Sequence, residues 1–140
     1  MRLRVCIVHI LFLLTSLAAV ARPAPEGNPP EARARYPYAV PEQAVFDLGQ
    51  VVQGPVATGT IVIANEGAAD LRIARVRSSC GLMIPAWPDG PVAPGDKARV
   101  GFRYDTGRLG PFERIVIIHT NAWQRDLRIT VRGEVVPSGE

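Results

Sequence analysis

Asp96-Lys97-Ala98-Arg99-Val100-Gly101-Phe102-Arg103-Tyr104 decides how this chain is read. Ala98, Val100, Phe102 and Tyr104 alternate with Lys97, Arg99 and Arg103. A period of two puts the apolar side chains on one face of a strand and the charges on the other. The segment therefore predicts a strand with one face on a core and one in water.

The same pattern recurs on both sides. Leu127, Ile129, Val131 and Val135 alternate with Arg128, Thr130 and Arg132 along a last strand closed by Pro137. Ile115-Val116-Ile117-Ile118 is apolar at every position, which suits a central strand covered by its neighbours. Upstream, Ala44–Gly49, Thr58–Ala64 and Leu71–Ser78 read as strands. Val76 breaks the alternation of the third, so a bulge is expected near Ala74-Arg75. Val51–Pro55 and Thr120–Arg125 read as turns, and Asp105–Pro111 as a glycine-containing loop. Asn65–Asp70 reads as a hairpin loop in which Asn65 and Gly67 are suited to positive φ. About seven short strands with Gly/Pro turns and no helix predict an all-β, immunoglobulin-like antiparallel sandwich over residues 43–137. A small barrel is the other architecture this spacing allows.

The first 21 residues are of another kind. Arg2 and Arg4 precede an apolar run, and Ala19-Val20-Ala21 supplies a small-x-small cleavage signature. This is the pattern of a signal peptide, so the mature protein is expected to start after Ala21 and to be periplasmic or secreted. Membrane association is expected only if the segment stays uncleaved. Lys plus Arg then falls from 16 to 14 against 13 acids, so the net charge drops from +3 to +1. A nearly neutral exported chain is a poor nucleic-acid binder. Residues 22–42 hold six of the 13 prolines and read as a linker or disordered arm. Tyr36 and Tyr38 could dock on the domain, although a solvated tail is the simpler expectation.

The mature chain has one cysteine, Cys80, and no internal disulfide is possible. Cys80 opens a loop carrying Trp87 and prolines at 85, 88, 91 and 94. Proline stiffens such a loop. Cys80, Trp87 and Pro88 are therefore candidates for a partner-binding loop. Cys80, Met83 and His119 are a soft donor set suited to a copper-type ion, if the fold brings them together. Arg75 and Arg77 beside Cys80 could favour its thiolate, but with no second thiol the accessible redox chemistry is a mixed disulfide with a partner. No hydrolase motif is present, and Asp47, Asp89, Asp96, Asp105 and Asp126 sit at turns or strand ends. Neither catalysis nor a cofactor is expected. Arg72, Arg75, Arg77, Arg99, Arg103, Arg114, Arg128 and Arg132 mostly fall on outward positions, as a solvated face or a surface for an acidic partner.

Several stretches together carry a family resemblance: Phe46-Asp47-Leu48-Gly49, Ile63-Ala64-Asn65-Glu66-Gly67, Leu71–Val76, Ser79-Cys80-Gly81, Pro85-Ala86-Trp87-Pro88, Val92–Asp96, Thr120-Asn121 and Val131–Val135. In this order they resemble the bacterial domain-of-unknown-function family numbered 1573, itself similar to immunoglobulin-like domains of the major-sperm-protein, ASH and Hydin type. The resemblance spans Ala44 to Val135. It implies an exported sandwich in the cell envelope and no established activity, substrate or cofactor. The family commonly has Ser-Cys-Gly-Cys, and here Leu82 stands at the second cysteine. The resulting expectation is a non-catalytic module for an as yet unidentified envelope protein partner, which it meets through the Cys80–Trp87 loop or by strand addition at an exposed edge.

Overall fold

The computed structural model describes residues 29–139. The segment read as an export signal and the start of the arm lie outside the described residues. After a single helical turn, α1 (Pro29–Arg33), come β1 (Ala39–Pro41), β2 (Val45–Val52), β3 (Ala57–Asn65), β4 (Ile73–Ser78), β5 (Leu82–Met83), β6 (Lys97–Tyr104), β7 (Gly110–Thr120) and β8 (Asp126–Val136).

The eight strands form two four-stranded sheets, β1-β3-β6-β5 and β2-β8-β7-β4. The inward set of β6 is as its alternation requires: Ala98, Val100, Phe102 and Tyr104 are buried. They meet Val116, Ile118, Ile129 and Val131 from the other sheet in one core. β7 lies between β4 and β8, which is why its four-residue apolar run is tolerated: Val116 and Ile118 are buried, Ile115 and Ile117 half-buried on the outer face. The bulge expected in β4 is present as a register shift between Ile73 and Arg75.

Several local expectations change. Val51 and Val52 are strand, not turn: β2 continues past a bulge at Asp47–Gln50 and runs parallel to β8. Asn65–Asp70 does not close a hairpin, because β3 and β4 belong to different sheets. Neither Asn65 nor Gly67 has positive φ. Asn65 is instead a buried clip, fully shielded from solvent. Its Nδ2 donates to the carbonyls of Ala69 and Val92, both at 2.8 Å, and its Oδ1 accepts from the N–H of Gly67 and Tyr38.

Order also begins before residue 43. β1 pairs with β3, the Tyr38 carbonyl accepts from Glu66 N, and the Pro37 carbonyl from Trp123 N. Gln124 brackets Ala39 by donating to its carbonyl and accepting from its N–H. A Cβ on Gly67 would overlap the backbone at Tyr36 and Tyr38. The end of the arm is thus docked on the domain rather than solvated, since its backbone groups find partners in the sheet and in two loops. Tyr38 stacks on Trp123 with ring centroids 6.3 Å apart, and the Arg33 guanidinium lies over the Tyr38 ring.

Candidate functional site

β4 ends at the open end of the sandwich, where the chain must step from one sheet to the other. Ser78 Oγ donates to the Leu82 carbonyl at 2.6 Å, Ser79 N to the Ile115 carbonyl, and Ile115 N to Ser79 Oγ. Gly81 takes φ of 84°, a left-handed conformation that favours glycine. The next residue, Leu82, drops into the core. This tight step leaves Cys80 exposed at its apex with a free thiol.

Beneath it is a hollow of ≈ 260 Å³ lined by Cys80, Gly81, Tyr104, Asp105, Arg108 and Arg114. Its floor is the Tyr104 ring, stacked on Phe112 with centroids 3.9 Å apart. Arg114 is the unexpected member. It is cross-strand to Val131, which is fully buried. Paired residues share a face, so Arg114 points inward, toward the end of the core, and not outward with the other arginines. Its guanidinium carbon lies 5.8 Å from the Tyr104 ring centroid, and Nη1 donates to the Glu113 carbonyl. Its Nε is buried and has no hydrogen-bond partner. Alternation with Phe112, Val116 and Ile118 carried this signal in the sequence.

The other expected residues do not gather here. His119 is cross-strand to Arg75 and Asp126, and its Nδ1 sits 2.7 Å from Asp126 Oδ1. Ile115 bonds to Ser79, next to Cys80, and His119 lies four residues further along β7, about 13 Å away at strand rise. Cys80 and His119 are therefore not placed to share a metal ion. Met83 is 56% exposed, and its neighbour Leu82 points the opposite way into the core. Trp87 packs partly buried against the core and Pro88 is half-buried, so the tryptophan closes the side of the sandwich rather than standing free.

The outer face of the β2-β8-β7-β4 sheet presents cross-strand rows. One is Arg77–Ile117–Arg128, the next Arg75–His119–Asp126, and another Glu113–Arg132–Asp47. In the last, Arg132 Nε donates to Asp47 Oδ2 at 3.0 Å. The Gly49 N–H and then Arg132 hold the Asp47 carboxyl below the usual carboxylate range. Arg77 and Arg128 flank the half-buried Ile117 with no ion-pair partner among the described residues.

Residues 40–135 match the model of a family described as "Protein of unknown function (DUF1573)". No curated protein matches the sequence. Among solved structures, the chain is similar to a protein of unknown function from Porphyromonas gingivalis W83, with 23% identity and a TM-score of 0.62 over 70% of this chain. That match spans only 46% of the Porphyromonas chain. An ASH/PapD-like domain of human CEP192 matches over 82% of this chain and 93% of its own, with 11% identity and a TM-score of 0.62. The secreted serine protease VesC from Vibrio cholerae matches over 74% of this chain and 24% of its own, with 18% identity and a TM-score of 0.59. At these identities the likeness is one of fold: a PapD-like, immunoglobulin-type sandwich.

Proposed function

Because the chain belongs to DUF1573, a family of unknown function, we propose from its own surface that it is an exported, non-catalytic module that binds an acidic protein partner through the outer face of the β2-β8-β7-β4 sheet. The observation that carries this reading is the row Arg77–Ile117–Arg128. It sets an apolar side chain between two arginines that form no ion pair among the described residues. Exposed faces of antiparallel sheets are usually polar and mixed in sign. Arginine beside an apolar side chain is the composition of an interface core, where a guanidinium can pair with a carboxylate while its neighbour loses water. Ile115, in the adjacent row, extends the apolar strip along β7.

The fitting partner presents carboxylates on either side of an apolar group. Charge complementarity of this kind acts on encounter rate as well as on affinity. Export rests on the segment before Ala21, and N-terminal sequencing of the protein recovered from the cell envelope tests it: a first residue at Arg22 is expected.

The interface reading is tested by a photo-crosslinking side chain placed at Ile117 in living cells, with Val62 on the outer face of the other sheet as control. A discrete adduct from position 117 is expected, absent from position 62 and abolished by Arg77→Glu with Arg128→Glu. Equal adducts from both faces, or an adduct indifferent to the charge reversal, would rule the face out.

A further inference from the structure

We propose that the hollow beneath Cys80 is a binding site for a carboxylate group, held by Arg108 and Arg114. The reasoning is independent of the sheet face, which lies on the outside of the sandwich, whereas this hollow opens at its end.

The starting point is the cost of Arg114 as it stands. A guanidinium is always charged, and its five N–H groups expect acceptors. Nη1 has the Glu113 carbonyl. Nε is shielded from solvent and has none. Buried donors without partners are rare in folded proteins, and each calls for an explanation. Here the packing explains how Nε is shielded, since Tyr104 lies beneath it and a Cβ at Gly81 would come within 3.9 Å of it. It does not supply an acceptor. The same arginine lines the hollow with no carboxylate partner among the described residues, and Arg108 lines the same space with no hydrogen-bond or ion-pair partner among them.

Charge in the hollow favours an anion. Two arginines face one carboxylate, Asp105, whose Oδ1 already accepts from the Gly107 N–H at 2.9 Å. A planar carboxylate fits the fork of a guanidinium through two parallel hydrogen bonds. The volume, ≈ 260 Å³, admits a small acid or one terminal group of a larger molecule. Gly81 lines the hollow at φ of 84°, where any residue with a side chain is strained. The free thiol of Cys80 sits on the rim, which makes it a reporter of the site.

The test uses that reporter on the folded protein. Cys80 is alkylated in parallel with iodoacetate, which carries a carboxylate, and with iodoacetamide, its neutral isostere. The iodoacetate-to-iodoacetamide rate ratio is expected to be roughly three- to tenfold higher in the folded protein than in urea, the gain that one or two charges at about 6 Å give in water. Arg108→Gln and Arg114→Gln each bring the ratio down toward the unfolded value, while Arg103→Gln leaves it unchanged. Acetate protects Cys80 from iodoacetate in competition, and chloride at equal ionic strength does not. Protection by acetate alone identifies a small free acid as ligand. Stronger protection by a short peptide with a free C terminus than by its amidated twin identifies a chain terminus. Arg108 is exposed, so its variant folds whatever Arg114→Gln does. A ratio equal in folded and unfolded protein, or one unmoved by Arg108→Gln, overturns the proposal.

Discussion

Replacing Asn65 by Ala should cost this small domain about 2–4 kcal/mol. Asn65 is fully buried, and its side-chain amide serves four backbone groups. The two bonds it donates, at 2.8 Å, are the short ones. A typical internal hydrogen bond contributes about 0.5–1.5 kcal/mol net, and an orphaned buried group costs about 1–3 kcal/mol. The Val92 carbonyl keeps a second donor, Leu71 N, so its loss is small. Ala69 loses the donor that Asn65 supplies, and Gly67 its acceptor. Two bonds of full value plus one partly orphaned carbonyl give the figure. In urea, with a slope of about 1 kcal/mol/M for a domain of this size, the midpoint should fall by about 2–4 M with the slope unchanged. Trp87 and Trp123 supply the fluorescence signal. Asn65→Asp sharpens the test. The carboxylate keeps the shape but turns an acceptor toward two carbonyl oxygens, so ionisation is disfavoured in the fold and the folded carboxyl pKa rises. A raised pKa means stability present at low pH and lost as pH rises through it. Asn65→Asp should therefore recover stability in acid, unlike Asn65→Ala. A loss below about 1 kcal/mol for Asn65→Ala, or an Asn65→Asp variant that weakens in acid, would refute the clip.

Gly67→Ala should lift the arm off the domain, because the added methyl overlaps the backbone at Tyr36 and Tyr38. Amide exchange should speed up at Glu66, Ala68 and Trp123, whose N–H groups bond to that arm, while β7 and β8 stay protected; unchanged exchange at these three amides would contradict the docking. Asp47 gives the pH dependence. Its carboxyl is held low by the Gly49 N–H and Arg132, so the stability it contributes is present above the unfolded pKa of about 3.9 and disappears as pH falls through the lower folded value. Urea midpoints of wild type and Asp47→Asn should differ at neutral pH and converge once the pH has fallen through the lowered folded pKa of Asp47; a difference that persists in acid would remove the carboxylate as its cause.

Alternation was enough to assign a face to nearly every strand residue. Ala98, Val100, Phe102, Tyr104, Leu127, Ile129, Val131 and Val135 are all buried as their spacing requires, and the out-of-phase Val76 marked the β4 bulge. Rows of apolar side chains at period two carry this information locally, because burying them is the dominant gain of folding. The family was legible for a related reason: its turn residues stand in a recognisable order. What lies beside each strand was not legible. Backbone N–H and C=O groups are the same at every residue, so no side-chain pattern said that β2 runs parallel to β8, that β3 and β4 part into different sheets, or that Ala39–Pro41 joins the edge. The site shows the same division. The sequence supplied the lone thiol, the glycine beside it and the surplus of arginine. Only the tertiary structure set Cys80 and His119 apart along β7, folded Trp87 against the core, and turned Arg114 inward beneath the thiol. Those placements depend on contacts between residues far apart in the chain.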